Sequence, residues 1–284
     1  MGLSHAKVGL CLFFLSVSAA APAQNASPGF PSFAIEAEAA SYADIADLVV
    51  ISPLIIDVTV RKVQKVSPEQ ALAVPATLQR LLIEADVLAL IRGEGGITPR
   101  VRFVVDIPKD AKGKIPKLKK QRLFLFGRQV EGRPGEIQLS RPNALAYFSP
   151  ANDSLVRDIT KEAVELNAPR RIASITSAFH SAGTVLGEGE TQIFLKTDND
   201  KPLSLTVLSR PGQQKQWAVS TAEVIDASAT APQRFSLLWY RLACSLPRNL
   251  PSERVEGANN ENTARAQADY KFVIEALGPC GRKR

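Results

Sequence analysis

Apolar and polar residues alternate along much of the first half of the chain. Ile56, Val58 and Val60 are separated by Asp57, Thr59 and Arg61, a period of two that predicts a strand with one buried face. Across residues 81–91 the odd positions Leu81, Ile83, Ala85, Val87, Ala89 and Ile91 are all apolar. The same window accommodates a helical stripe through Leu78, Leu81, Leu82 and Ala85. Strand is preferred, because Gly93, Gly95 and Gly96 follow and lead into a second alternation, Val101, Phe103, Val105 and Ile107. Two such runs joined by a Gly-rich turn predict a hairpin. Residues 122–126 are apolar at both parities, the mark of a central strand buried on two faces. A fifth run covers residues 135–139 and resumes near 145–148.

Helical patterns frame these strands. A short helical turn is expected at residues 41–47. Asn152 or Asp153 is expected to cap a helix reaching about Asn167, with Val156, Ile159, Ala163 and Leu166 on one stripe and Pro169 as its stop. Five antiparallel strands with a packed helix, over residues 34–168, predict a β-barrel of OB-like type. Residues 169–284 read as a second unit. Two strands at 191–197 and 203–208 flank a turn at 198–202, and a third strand includes Trp217 and Val219. A helix carrying Phe235, Leu238 and Leu242 ends near Cys244. After a polar linker at 252–262, a last helix aligns Ala266, Tyr270, Val273 and Leu277 and stops at Gly278-Pro279. The predicted class is α+β: a barrel, then a small antiparallel sheet with C-terminal helices.

The N-terminus departs from both patterns. Lys7 precedes an apolar run at residues 8–15, and a small-residue tail ends in Ala21-Pro22-Ala23. This is the layout of a secretory signal peptide cleaved after Ala23, and the run is shorter than the ~20 residues a membrane span needs. Residues 24–33, rich in Pro, Gly and Ser, read as a flexible lead-in. The expected location is the periplasm, or a secreted form, with no transmembrane segment after cleavage. A eukaryotic secretory route is the minor alternative. Cleavage removes Met1, His5, Lys7 and Cys11, which leaves 34 basic residues against 28 acidic ones, one histidine (His180) and two cysteines. In an oxidising compartment Cys244 and Cys280 are expected to pair as a disulfide, the alternative being two separate buried thiols.

The remaining inventory narrows the chemistry. With 45% hydrophobic and 22% charged residues, the chain is not a disordered polyelectrolyte. It holds no P-loop, no dinucleotide fingerprint, no Gly-x-Ser-x-Gly elbow and no His-Glu-x-x-His. Two cysteines and one distant histidine do not make a four-ligand zinc site, and no metal or cofactor is expected. His180 is a weak candidate for a general base, with Glu188 or Glu190 to orient it and Ser181 or Ser177 to attack. Glu188 and Glu190 also match, at low specificity, the carboxylate pair of a glycosidase. The bland reading makes His180 a polar strand-end residue. Asp198 and Asp200 suit a turn better than a metal, and Trp239, Tyr240 and Arg241 suit packing better than a pocket. The strongest charge feature is Lys109, Lys112, Lys114, Lys117, Lys119, Lys120 and Arg122, with Asp110 as the single acid among them. They are anion-binding candidates for an anionic lipid or envelope polymer, and otherwise a solvated loop that keeps a sheet edge from pairing. Nucleic acid is not expected, since the run lacks aromatics for base stacking. Arg282, Lys283 and Arg284 are expected to fray.

The segments Phe179-His180-Ser181-Ala182-Gly183, Gly187-Glu188-Gly189-Glu190-Thr191-Gln192-Ile193-Phe194-Leu195 and Trp239-Tyr240-Arg241-Leu242-Ala243-Cys244-Ser245-Leu246-Pro247 resemble those of uncharacterised exported proteins of alphaproteobacterial type. The resemblance runs through most of the mature chain and implies export and a shared fold; it carries no activity. The functional expectation is a non-enzymatic binding or assembly module of the periplasm, with a hydrolase centred on His180 and Glu188 or Glu190 as the alternative. Expression of the full chain in a bacterial host should give a periplasmic protein whose mass begins at Gln24. Recovery from the cytosol with Met1 retained and both thiols reduced would refute the export reading.

Overall fold

The alternating runs form a ring. The computed structural model describes residue 2 and residues 40–71, 73–220, 230–257 and 259–283; the rest of the leader, the lead-in at 24–33 and Arg284 lie outside them. Strand β1 (Leu54–Lys65) pairs antiparallel with β2 (Leu78–Arg92), and β2 with β3 (Arg100–Pro108). On its other edge β1 pairs with β4 (Arg122–Val130), and β4 with β5 (Arg133–Leu139). The ring closes between β3 and β5, which run parallel over two residue pairs, Arg102 with Glu136 and Phe103 with Ile137. Strand direction cannot alternate all the way round a ring of five, so one parallel pair is forced, and the barrel is antiparallel everywhere else. The short β6 (Leu145–Tyr147) adds to β4.

Residues of one parity fill the barrel. Leu54, Ile56, Val58 and Val60 from β1 meet Leu81, Ile83 and Ala85 from β2, Val101, Phe103, Val105 and Ile107 from β3, and Leu123 and Leu125 from β4. Leu118, from the loop between β3 and β4, is buried in the same cluster. Residues of the other parity on β1 and β4, Ile55, Phe124 and Phe126, belong to a second hydrophobic cluster outside the barrel. Helix α1 (Tyr42–Ile51) enters that cluster. Its start is fixed by a capping box, in which the Asp44 amide donates to Ser41 Oγ and the Ser41 amide donates to the Asp44 carboxylate. Helix α2 (Pro150–Val164) joins it through Val156 and Ile159. Its cap is Ser149, which accepts from the Asn152 amide at 3.1 Å; Asn152 and Asp153 lie inside the helix. The helix ends before Leu166, which is fully exposed.

The second sheet is a meander ordered β10-β9-β8-β7, built from β7 (Ile172–Ala182), β8 (Gly189–Thr197), β9 (Pro202–Ser209) and β10 (Gln216–Ser220). Ile193, Leu195, Leu205 and Val207 from its inner face enter the cluster that holds Phe124 and Phe126, so one core crosses the 168/169 boundary. Helix α3 (Leu237–Ala243) is capped by Ser236. Phe235 lies ahead of that cap at φ 60° and is half exposed, so it stands outside the helical stripe assigned to it. Helix α4 (Asn260–Leu277) buries Ala266, Tyr270, Val273 and Leu277 and ends at Gly278, whose φ of 69° suits a glycine terminator. Strand β7, which periodicity missed, packs against α4.

Cys244 and Cys280 form the disulfide, with Cα atoms 4.9 Å apart, joining the end of α3 to the residues after α4. Arg282 does not fray; its guanidinium donates two hydrogen bonds to Asp47 in α1, at 2.7 and 2.9 Å. Closing a 36-residue separation is worth about 4 kcal/mol on the chain-entropy account. Replacing both cysteines by serine should therefore lower the unfolding free energy by about that amount, measured by urea denaturation of the oxidised wild type against the variant.

Candidate functional site

Among the pockets of the described residues, two hold the side chains singled out by the sequence or lie beside them. The larger lies where β3 and β5 part beyond their short parallel contact. There a cleft of about 720 Å³ opens, and Arg80, Arg102, Arg133 and Arg141 stand along it against Asp106 and Glu136. The Arg80 guanidinium grips Asp106 with two hydrogen bonds of 2.8 Å each. Arg102 and Arg133 share Glu136, at 3.2 and 3.1 Å. Four arginines against two carboxylates leave the cleft electropositive. Leu82 and Val104, cross-strand partners, give it an apolar floor.

The lysine-rich loop leaves β3 at the Asp106 end of this cleft. Asp110 organises its first turn by accepting from the Lys112 and Lys114 amides, at 2.9 and 2.7 Å, and Leu118 anchors its far side in the barrel. Lys112, Lys114 and Lys117 between these anchors, and Lys119 and Lys120 just past Leu118, are exposed. Lys109 is less so, and its Nζ donates to the Ala76 carbonyl. Arg122 differs from them. It donates to the fully buried Asp57 at 2.6–3.1 Å and lies 3.5 Å from the Phe148 ring centre. Its fork balances a buried charge, which is a structural task.

The smaller place is centred on His180, near the end of β7. His180 pairs with Thr191 on β8, and both face α4. The Thr191 hydroxyl donates to Asp269 of α4, and Lys215 donates to the other oxygen of the same carboxylate at 2.6 Å. A hydroxyl has one proton. Since Thr191 spends it on Asp269, the 2.9 Å contact between His180 Nδ1 and Thr191 Oγ1 must be donated by Nδ1–H. Neutral His180 is thereby held with its lone pair on Nε2. That atom is buried and has no hydrogen-bond partner among the described residues. His180 lines a pocket of about 100 Å³ with Glu188, Ser209, Lys215, Arg265 and Asp269. Gly189 makes room for the ring: a Cβ there would lie 2.7 Å from Cε1 and 3.0 Å from Nε2. Burial holds the imidazole below its ordinary pKa, helped by the Arg265 and Lys215 charges and opposed by Asp269.

Of the partners expected for His180, the structure brings one close. Glu188 precedes β8 and lines the pocket, its carboxylate folded over Gly183. Glu190 pairs with Ser181 on the opposite face of the sheet and accepts from Gln192 at 2.6 Å; Ser177, paired with Phe194, also faces away. The residues that do orient the ring, Thr191 and Asp269, went unread. A signal for Asp269 existed: it lies at i+3 of the buried Ala266 and beside Tyr270, an acid set within an apolar helical stripe. Asp198 and Asp200 sit in the β8–β9 turn, where Asp200 has φ 57°. Trp239 and Arg241 donate to backbone carbonyls of Leu277 and Pro169, and Tyr240 to Asp47, which are packing roles. Comparison of the chain with protein-family models and with curated proteins finds no match to either.

The depressed His180 pKa fixes a sign. A base whose folded pKa lies below its unfolded value, about 6.5, binds more protons when unfolded, so its contribution to stability is full above 6.5 and falls as pH drops below it. Urea midpoints measured from pH 7.5 to pH 5 should therefore decline, and the decline should be shallower in His180→Gln. Parallel curves would mean that the ring is not held neutral by the fold.

Proposed function

We propose that the chain is an exported binding module of the periplasm whose barrel holds a phosphate- or carboxylate-bearing component of the cell envelope. The observation that carries this reading is the electropositive cleft between β3 and β5, continuous along the chain with a loop presenting five exposed lysines. An arginine fork suits planar oxyanions, and a lysine cluster attracts them at longer range. The face of OB-type barrels around the second and third strands takes extended polar polymers, and the arginines here occupy the corresponding surface. The leader supplies the location, and the disulfide fits an oxidising compartment. The lysine loop captures and the cleft holds: surface lysines act within a Debye length of about 8 Å at physiological salt, whereas Arg102 and Arg133 act by contact.

The test is co-sedimentation of the mature, oxidised protein with phosphatidylglycerol vesicles, phosphatidylcholine vesicles and purified lipopolysaccharide. Retention is expected on the anionic surfaces alone and should fall with added salt. Joint substitution of Lys112, Lys114, Lys117, Lys119 and Lys120 by Gln should weaken it at low salt, and Arg102→Gln with Arg133→Gln should weaken what remains. Equal retention on neutral vesicles, or no response to either set of changes, would overturn the proposal.

A further inference from the structure

The His180 pocket is separate from the barrel cleft and is assembled for a different task. Asp269, Thr191 and His180 form a directed chain, since the one Thr191 hydroxyl hydrogen goes to Asp269 and leaves Nδ1–H to donate to Thr191. The Lys215 ammonium and the Thr191 hydroxyl both donate to the Asp269 carboxylate, Nδ1–H donates to Thr191, and Nε2 is left without a partner among the described residues. A third group that orients a base through Nδ1 while leaving Nε2 without a protein partner is the arrangement by which imidazoles accept protons in acyl transfer; here that nitrogen is buried, so a substrate reaches it only from the pocket that His180 lines. Here a threonine hydroxyl stands between carboxylate and ring. Lys215 and Arg265 line the same pocket as the Asp269 and Glu188 carboxylates, and Lys215 is bonded to Asp269.

We infer that His180 is the general base of an esterase site that accepts acetyl-sized acyl groups, with Thr191 and Asp269 as its positioning residues. The size follows from the volume: about 100 Å³ holds roughly three water-sized groups at ~30 Å³ each, one attacking water and a two-carbon acyl unit. In the reaction, the water oxygen bonds to the carbonyl carbon as its proton passes to Nε2, and the carbonyl π pair moves onto oxygen. When that pair returns, the carbon–oxygen bond to the alcohol breaks and the departing alkoxide takes the proton back from Nε2–H, leaving acid and alcohol. The groups facing the ring are Asp269, Lys215, Arg265 and Glu188, so the rate should depend on one ionisation, below the ordinary imidazole value, and level off at neutral pH.

The experiment uses the mature, oxidised protein and p-nitrophenyl acetate, with an equal concentration of free imidazole as the reference. Hydrolysis should exceed the reference. It should fall about a hundredfold in His180→Gln, the usual scale of general-base catalysis. Thr191→Val should lose most of the activity, while Thr191→Ser, which keeps the hydroxyl, should retain it, a difference that a packing role would not produce. Gly189→Ala, which crowds Nε2, should act like His180→Gln. Should His180→Gln not fold, the wild-type pH–rate profile and the serine–valine pair decide. A wild-type rate no greater than that of imidazole, or equal rates in Thr191→Ser and Thr191→Val, would overturn the inference. Vesicle retention should be unaffected by these changes, so the barrel reading stands or falls independently.

Discussion

Leu123 and Leu125 point into the barrel while Phe124 and Phe126 point out of it, so four consecutive side chains of β4 serve two hydrophobic clusters at once. All four are fully buried. Each contributes burial worth about 1.5–3 kcal/mol, and their alternation ties the barrel to α1, α2 and the second sheet through a shared packing surface. A strand flanked by core on both sides has no solvent face to absorb a change of register, because a one-residue slip would exchange the leucines and phenylalanines between cavities of different shape. The same register sets the β3–β5 seam where the cleft lies, through the β4–β5 pairing.

The acids of the chain are unevenly used. Asp57, Asp106 and Asp269 are buried and each is matched by a cation from a neighbouring element, Arg122, Arg80 and Lys215 respectively. Buried carboxylates so matched hold elements in place, their desolvation offsetting much of the attraction, and they take negative charge away from the surface. The excess of basic over acidic residues is consequently expressed outside, in the lysine loop and along the cleft. Net charge alone shows the surplus without showing where it is displayed.

Much of the barrel was legible in the sequence because β1, β2 and β3 are half-buried strands, and a strand with one dry face writes its geometry as a period of two. The last helix was legible for the matching reason at a period near 3.6. Strand β7 was not. Its buried residues are Ile172, Ile175, Ala178 and His180, and irregularities in its pairing with β8, between Ile172 and Ser174 and between Ile175 and Ser177, break the alternation twice. The strand that carries His180 is thus the one whose pattern is scrambled, and its partner Asp269 is 78 residues away from Thr191, beyond any local spacing rule. Ser149 was passed over as a cap because Asn152 and Asp153 are equally good cap types, and only the backbone conformation at Ser149 separates them. Phe235 was placed on a helical face because nothing in its identity announces a positive φ.

Asp47 in α1 is held by Tyr240 and by Arg282, the latter 235 residues further along, and the Lys283 amide donates to Asp44 of the same helix. The first helix of the fold is therefore fastened by segments that are synthesised long after it. Until they arrive, α1 has a capped N-terminus and α2 to pack against but no polar clamp. An order of assembly is built into the chain: the barrel has all its strands early, whereas the clamp on α1 waits for the last residues, which lie just beyond the Cys244–Cys280 bond.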